Sequence, residues 1–169
     1  MNFCPPWRTA DPLHGPGFRL SLFVSGCRLH CPGCSHRKCW DFDAGKRFTK
    51  EHLNQLLADA KSSNVSGLSI LGGEPMDINN QPGVSDIVLA FRKKFPRKSI
   101  WVYTGYLLEN DLDPGRPMYT LWTPVIMDNI DALVDGPFVK SLHFSNLKYK
   151  GSSNQRIIYL KDGKPIKIE

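Results

Sequence analysis

Three short apolar runs, FRLSLFVSG (18–26), VSGLSILG (65–72) and SIWVYTG (99–105), alternate along the chain with two segments of helical spacing. In TKEHLNQLLADAKSS (49–63), Leu53, Leu56, Leu57 and Ala60 recur every three or four residues behind Thr49, a residue type that caps helix N-termini. In VSDIVLAFRKKF (84–95), Ile87, Val88 and Phe91 mark a second buried stripe. Strands joined by crossovers of helix length pair in parallel with right-handed connections, so this order predicts an α/β fold with a largely parallel sheet. IDALVDG (130–136) supplies a fourth strand, and residues 155–169 read as a C-terminal hairpin or extension turning at Asp162-Gly163. Residues 1–17, rich in Pro and Gly, read as an irregular lead-in, and 106–129 shows no clear period. A chain of 169 residues has room for a single domain, 1–169, around one core.

The composition narrows the class. Hydrophobic residues make up 41% and charged residues 22%, which suits a globular protein, and no apolar run approaches a membrane span. The first residues lack the apolar stretch of a secretory signal, so the expected location is cytoplasmic. The net charge is +6, but the densest basic run, FRKKFPRKS, falls at a predicted helix end, where cations complement the helix dipole. No nucleic-acid-binding motif accompanies it, and no direct contact with nucleic acid or membrane is expected.

Three of the five cysteines, Cys27, Cys31 and Cys34, crowd into SGCRLHCPGCSH directly after the first strand. In a reducing compartment such a cluster points to metal or redox chemistry rather than to a disulfide framework. GGEP (72–75) follows the second strand and YTGY (103–106) the third. Ligands of parallel sheets bind beyond the carboxyl ends of the strands, so all three segments are expected to face one pocket. The thiols leave several readings open. A structural zinc site would recruit His30 or His36 as a fourth ligand. A [4Fe–4S] cluster on three thiolates would keep one iron open. Dithiol exchange would use Cys31 and Cys34 and leave Cys27 without a role. Cys4 and Cys39 read as bystanders, and His30 and His36 as loop residues. Gly15, Pro16, Gly17 and Arg19 are expected either at the pocket rim or in a plain turn. Thr104 and Tyr106 are expected against ligand or in the core, and Asp135 in an Asp-Gly turn. No His–carboxylate pair suggests acid–base catalysis.

CRLHCPGC resembles the C-x3-C-x2-C signature of the radical S-adenosylmethionine (SAM) enzymes, and GGEP resembles their second motif. HGPGFRLSLFVSGC (14–27), Trp40-Asp41, YTGY and LVDGPFV (133–139) are similar to the small glycyl-radical-enzyme activases, in particular those that serve the anaerobic ribonucleoside-triphosphate reductase. The resemblance runs from about residue 13 to 158. It implies a small incomplete β/α barrel with a largely parallel sheet, open on one side. It implies Cys27, Cys31 and Cys34 on three irons of a [4Fe–4S] cluster, with SAM chelating the fourth. Gly33, Cys34, Ser35, Gly72, Gly73 and Glu74 would lie against SAM, and the Gly72 and Gly73 carbonyls with the Glu74 carboxylate would accept from its ammonium. One-electron cleavage of SAM would give a deoxyadenosyl radical, which would take a hydrogen atom from the glycyl radical loop of the reductase large subunit. A different glycyl radical enzyme is the alternative partner. The electron would come from an external one-electron donor such as a flavodoxin. One departure stands out: Gly33 occupies a position where many radical SAM enzymes carry an aromatic residue that packs near the adenine.

Overall fold

The computed structural model describes residues 1–169 and contains nine strands and three α-helices. The strands are β1 (Asn2–Phe3), β2 (Arg8–Asp11), β3 (Phe18–Val24), β4 (Lys46–Arg47), β5 (Val65–Gly72), β6 (Ser99–Tyr103), β7 (Ala132–Asp135), β8 (Arg156–Lys161) and β9 (Lys164–Ile168). The helices are α1 (Lys50–Asp59), α2 (Gln81–Lys94) and α3 (Trp122–Met127). All strands join one mixed sheet in the order β4-β1-β3-β5-β6-β7-β8-β9, with β2 also beside β3. Its centre, β3-β5-β6-β7, is parallel, and the flanking pairings are antiparallel.

The alternation of the apolar runs accounts for this centre. Leu20, Leu22 and Val24 of β3, Leu68 and Ile70 of β5, and Ile100 and Val102 of β6 alternate onto one face. There they meet Leu56 and Leu57 of α1, Val84, Ile87, Val88 and Phe91 of α2, and Ile126 and Met127 of α3 in one core. The three crossover helices therefore cover the same face. The opposite face carries Arg19, Phe23, Ser69, Leu71, Trp101 and Tyr103.

Local chemistry sets the helix ends. Thr49 stands at the N-cap of α1, and its N–H donates to His52 Nδ1 at 3.2 Å. Helix α2 begins at Gln81, three residues before the sequence-based start, because Pro82 fits a first turn that needs no N–H there. Its last turn holds Arg92, Lys93 and Lys94, and Arg92 donates to Asn129 O at 2.8 Å, so the basic run braces the fold. Two readings are corrected. Residues 1–17 are not wholly irregular, since β1 and β2 pair with β3. The unreadable 106–129 holds α3, whose six residues with Pro124 inside are too few to show a period. No helix is long and apolar enough to cross a membrane.

Candidate functional site

Beyond the carboxyl ends of the parallel strands lies a cavity of about 420 Å³. Cys27, Cys31 and Cys34 line it together with Gly72, Gly73 and Glu74. Gly33, Ser35, Tyr103, Thr104 and Gly105 line it as well, so the segments after β3, β5 and β6 do converge. Cys27 is buried and Cys31 and Cys34 are half-buried, and none forms a disulfide.

The cysteine loop is held by its own backbone. Gly26 N donates to Cys39 O at 2.8 Å and Cys27 N to Trp40 O at 2.9 Å, which folds residues 27–40 back on themselves. The N–H groups of Leu29 and His30 point at the Cys27 sulfur, and His36 N donates to Cys34 Sγ at 3.4 Å. At Cys27 the two donors favour the thiolate. Burial outweighs them at Cys27 and raises its pKa, so a bound cation must supply the rest of the driving force for losing that proton. No three His, Cys, Asp or Glu side chains converge on a point fit for one metal ion. The three cysteines line one cavity, and three thiolates on a [4Fe–4S] cluster would leave one iron without a protein ligand.

GGEP docks onto this loop. Gly73 N donates to Val24 O and Glu74 N to Gly26 O, both at 2.7 Å. A Cβ on Gly73 would sit 2.4 Å from Gly26 O and 2.8 Å from Cys39 O. The missing side chain thus lets two backbones touch, a use of glycine that the sequence reading assigned to ligand approach alone. Glu74 is buried, and its carboxylate accepts from Thr104 Oγ1 (2.6 Å), Gly105 N (2.7 Å) and Met76 N (2.9 Å). Burial pushes its pKa up to about 7 against those three donors. With roughly four acceptor sites on a carboxylate, one is left for a ligand.

Residues the sequence did not flag complete the frame. Buried Asn80 donates to Glu74 O at 2.9 Å and to Ser25 O at 3.0 Å, tying the two motif loops together. Arg28 of the cysteine loop pairs with buried Asp77. Phe138, Lys140, His143 and Gln155 bring the segment after β7 to the cavity, and the Lys140 chain lies over Gly33, whose φ is +80°. LVDGPFV was the available signal for Phe138. Nothing local pointed to Asn80.

Of the other expectations, some are met and some corrected. Gly15, Pro16, Gly17 and Arg19 do not line the cavity; His14 does. Arg19, the second residue of β3, lies at the far end of the strands, fully buried, and donates to Ser69 Oγ (2.7 Å), Ser99 Oγ (2.8 Å) and Leu68 O (2.8 Å), while desolvation lowers its pKa to about 10. A His–carboxylate pair does exist: His14 Nδ1 lies 2.6 Å from Oδ2 of buried Asp11, three residues apart across a turn. Thr104 faces the cavity but spends its hydroxyl on Glu74, and Tyr106 packs in the core. Asp135 does more than form a turn, accepting from Arg156 Nε at 2.9 Å and Leu108 N at 3.0 Å. His30 stacks on Trp40 and His36 on Phe23, as loop residues would. Cys4 and Cys39 pack behind the loop away from the cavity, and burial beside Cys4 pushes Cys39 up to about 12.

Residues 13–158 match the 4Fe-4S single cluster domain family, which places the chain in an iron–sulfur class of protein. The chain is similar to the anaerobic ribonucleoside-triphosphate reductase-activating proteins of Escherichia coli (37% identical over 89% of this chain and 94% of that one) and Vibrio cholerae (37%, over 87% and 91%). It is likewise 37% identical to that of Pasteurella multocida, over 94% of this chain and 97% of its relative. The chain belongs to this family of radical-SAM-type activating proteins with a 4Fe-4S single cluster domain.

Proposed function

We propose that this chain activates the anaerobic ribonucleoside-triphosphate reductase, with Cys27, Cys31 and Cys34 holding three irons of a [4Fe–4S] cluster and SAM bound beside it. The observation that carries the proposal is the shared cavity: three unpaired thiols and the GGEP backbone line one space at the carboxyl ends of parallel strands. Bound together, the cluster and SAM supply a one-electron reduction and abstraction of a hydrogen atom from a glycine of the reductase.

The chain's own residues position these groups. The N–H groups of Leu29 and His30 are aimed at the Cys27 sulfur and that of His36 at the Cys34 sulfur, which fixes where the two side chains point. The Gly72 and Gly73 carbonyls and the free acceptor site of Glu74 receive the SAM ammonium, and Gly33 and Ser35 border the same ligand. Thr104, Gly105 and Met76 hold Glu74 so that its carboxylate cannot swing away. Leu71, Tyr103 and Phe138 give the cavity an apolar wall that limits water. The Tyr103 hydroxyl is buried without a partner and is free to bond a bound ligand. We read the whole chain as one domain and the sheet as an incomplete barrel. Crossover helices on a single face favour curling toward the other, and the open side admits the reductase's glycyl loop. An external one-electron carrier such as a flavodoxin completes the scheme.

Anaerobic reconstitution with iron and sulfide, followed by reduction and addition of SAM, tests the reading. The expected result is a reduced-cluster EPR signal that changes with SAM, with formation of 5′-deoxyadenosine. A protein that takes up zinc but no iron, or a cluster indifferent to SAM, would overturn it.

A further inference from the structure

The residues that line the main cavity include one carboxylate, Glu74, and one permanent cation, Lys140. The function proposed above uses the first and leaves the second without a task. The Lys140 ammonium enters none of the ion pairs within the chain. The lysines that donate hydrogen bonds within the chain are Lys98 and Lys167. Residues 136–155 carry three lysines and no acid, so nothing on its own segment neutralises Lys140. The acid just before that segment, Asp135, is taken up by Arg156.

Lys140 is fixed against the cysteine loop. A Cβ on Gly33 would sit 2.8 Å from Lys140 Cδ, 3.1 Å from its Cγ and 3.3 Å from its Cβ. The lysine stem therefore lies along the turn between Cys31 and Cys34 and fills the space into which a side chain at position 33 would project. The ammonium follows two bonds beyond Cδ. The backbone beneath is pinned on both sides. Val139 N donates to the hydroxyl of fully buried Ser152 at 3.1 Å, and Ser153 N to Leu142 O at 2.8 Å. Gln155 Nε2 donates to Gly136 O and Asn154 Nδ2 to Pro137 O, each at 2.8 Å. A cation on a fixed support keeps its place when the charge beside it changes.

Three thiolates outweigh the charge of an oxidised [4Fe–4S] core, so the group they hold is anionic, and reduction adds one more negative unit. A neighbouring positive charge favours the more negative of two states, as it does for a carboxylate. We propose that Lys140 is a redox-tuning residue, its stem packed over the Cys31–Cys34 turn and its ammonium stabilising the reduced form of the cluster held by Cys27, Cys31 and Cys34. The inference rests on the function proposed above. In the step an external one-electron carrier gives up one electron, the cluster gains it, and no bond is made or broken. The SAM carboxylate is the other anion that a free ammonium on this wall could meet, and the test separates the two.

The test compares four proteins reconstituted anaerobically with iron and sulfide: wild type, Lys140→Met, Lys140→Arg and Lys148→Met. Methionine keeps a long stem over Gly33 and removes the charge, and arginine keeps the charge. Lys148 is exposed on the same segment and does not line the cavity, so its variant controls for net charge. The cluster potential is read by EPR during a dithionite titration without SAM, and SAM binding to the oxidised protein is read by calorimetry. Lys140→Met should load iron like wild type and shift the reduction equilibrium toward the oxidised form by about threefold to tenfold, tenfold being about 59 mV for one electron. Lys140→Arg and Lys148→Met should stay within about twofold of wild type. A Lys140→Met potential equal to that of wild type would overturn the inference, above all if SAM binding fell tenfold instead, which would assign the ammonium to the SAM carboxylate. Equal shifts in Lys140→Met and Lys148→Met would reduce the effect to net charge and overturn it too. So would a Lys140→Met protein that loads less than half the iron, since the side chain would then hold the loop and not tune it. A wild type that takes up no iron would sink the function proposed above and this inference with it, whereas the other outcomes strike Lys140 alone.

Discussion

Replacing Gly73 with alanine puts the contact between the two motif loops to the test. The new Cβ would meet Gly26 O at 2.4 Å and Cys39 O at 2.8 Å, both backbone atoms in hydrogen bonds of their own. Ordinary contact begins near 3.4 Å, so the loops must part by up to an ångström. That movement strains the bonds from Gly73 N to Val24 O and from Glu74 N to Gly26 O, each 2.7 Å. Overpacking costs about 1–3 kcal/mol and each buried bond left unmade about 1–3 kcal/mol more. A loss of about 4 kcal/mol corresponds to a fall of about 8–16 °C in Tm for a chain of this size. Gly115→Ala is the contrasting control, because its φ is +83° but nothing lies within 4 Å of the new atom. Its cost should be limited to backbone strain, about 1–2 kcal/mol. Thermal unfolding by circular dichroism of the metal-free proteins reads both, and iron bound after reconstitution reads the site. A Gly73→Ala protein that melts within about 2 °C of wild type and still takes up iron would refute the packing argument, since that shift is worth under about 1 kcal/mol.

Other predictions concern buried polar groups. Glu74 has its carboxyl raised from 4.5 to about 7 in the folded state, so its contribution to stability is full below about pH 4.5 and is lost as pH rises through about 7. The difference in Tm between wild type and Glu74→Gln should therefore vary across that window, and parallel pH curves for the two proteins would contradict it. Arg19→Met strands its acceptors beneath the sheet and should cost about 3 kcal/mol in urea unfolding. The folded fraction should bind iron normally, because no Arg19 atom lines the cavity. Asp135→Asn leaves the partly exposed Arg156 with Glu109 alone and should cost about 2 kcal/mol. The double variant Asp135→Asn/Arg156→Met should regain part of that loss, and strict additivity would show that the pair is not coupled.

The sequence by itself determined the parallel centre of the sheet and the address of the site. Apolar alternation in β3, β5 and β6 and the three- and four-residue spacing in α1 and α2 are short-range signals. The Cys27, Cys31, Cys34 triplet and GGEP lie at strand ends, where topology alone brings them together. Only the tertiary structure decided what holds the motifs in place. Asn80 bridges segments more than fifty residues apart, and Arg28 finds Asp77 forty-nine positions away. No local period encodes such pairs. Arg19 lies three residues before Leu22 on the same strand, yet it sits beneath the sheet and not at the rim, because the strand carries it to the end opposite the cavity. Spacing along a chain specifies which groups can share an element, while burial and long-range hydrogen bonds select the partners they keep.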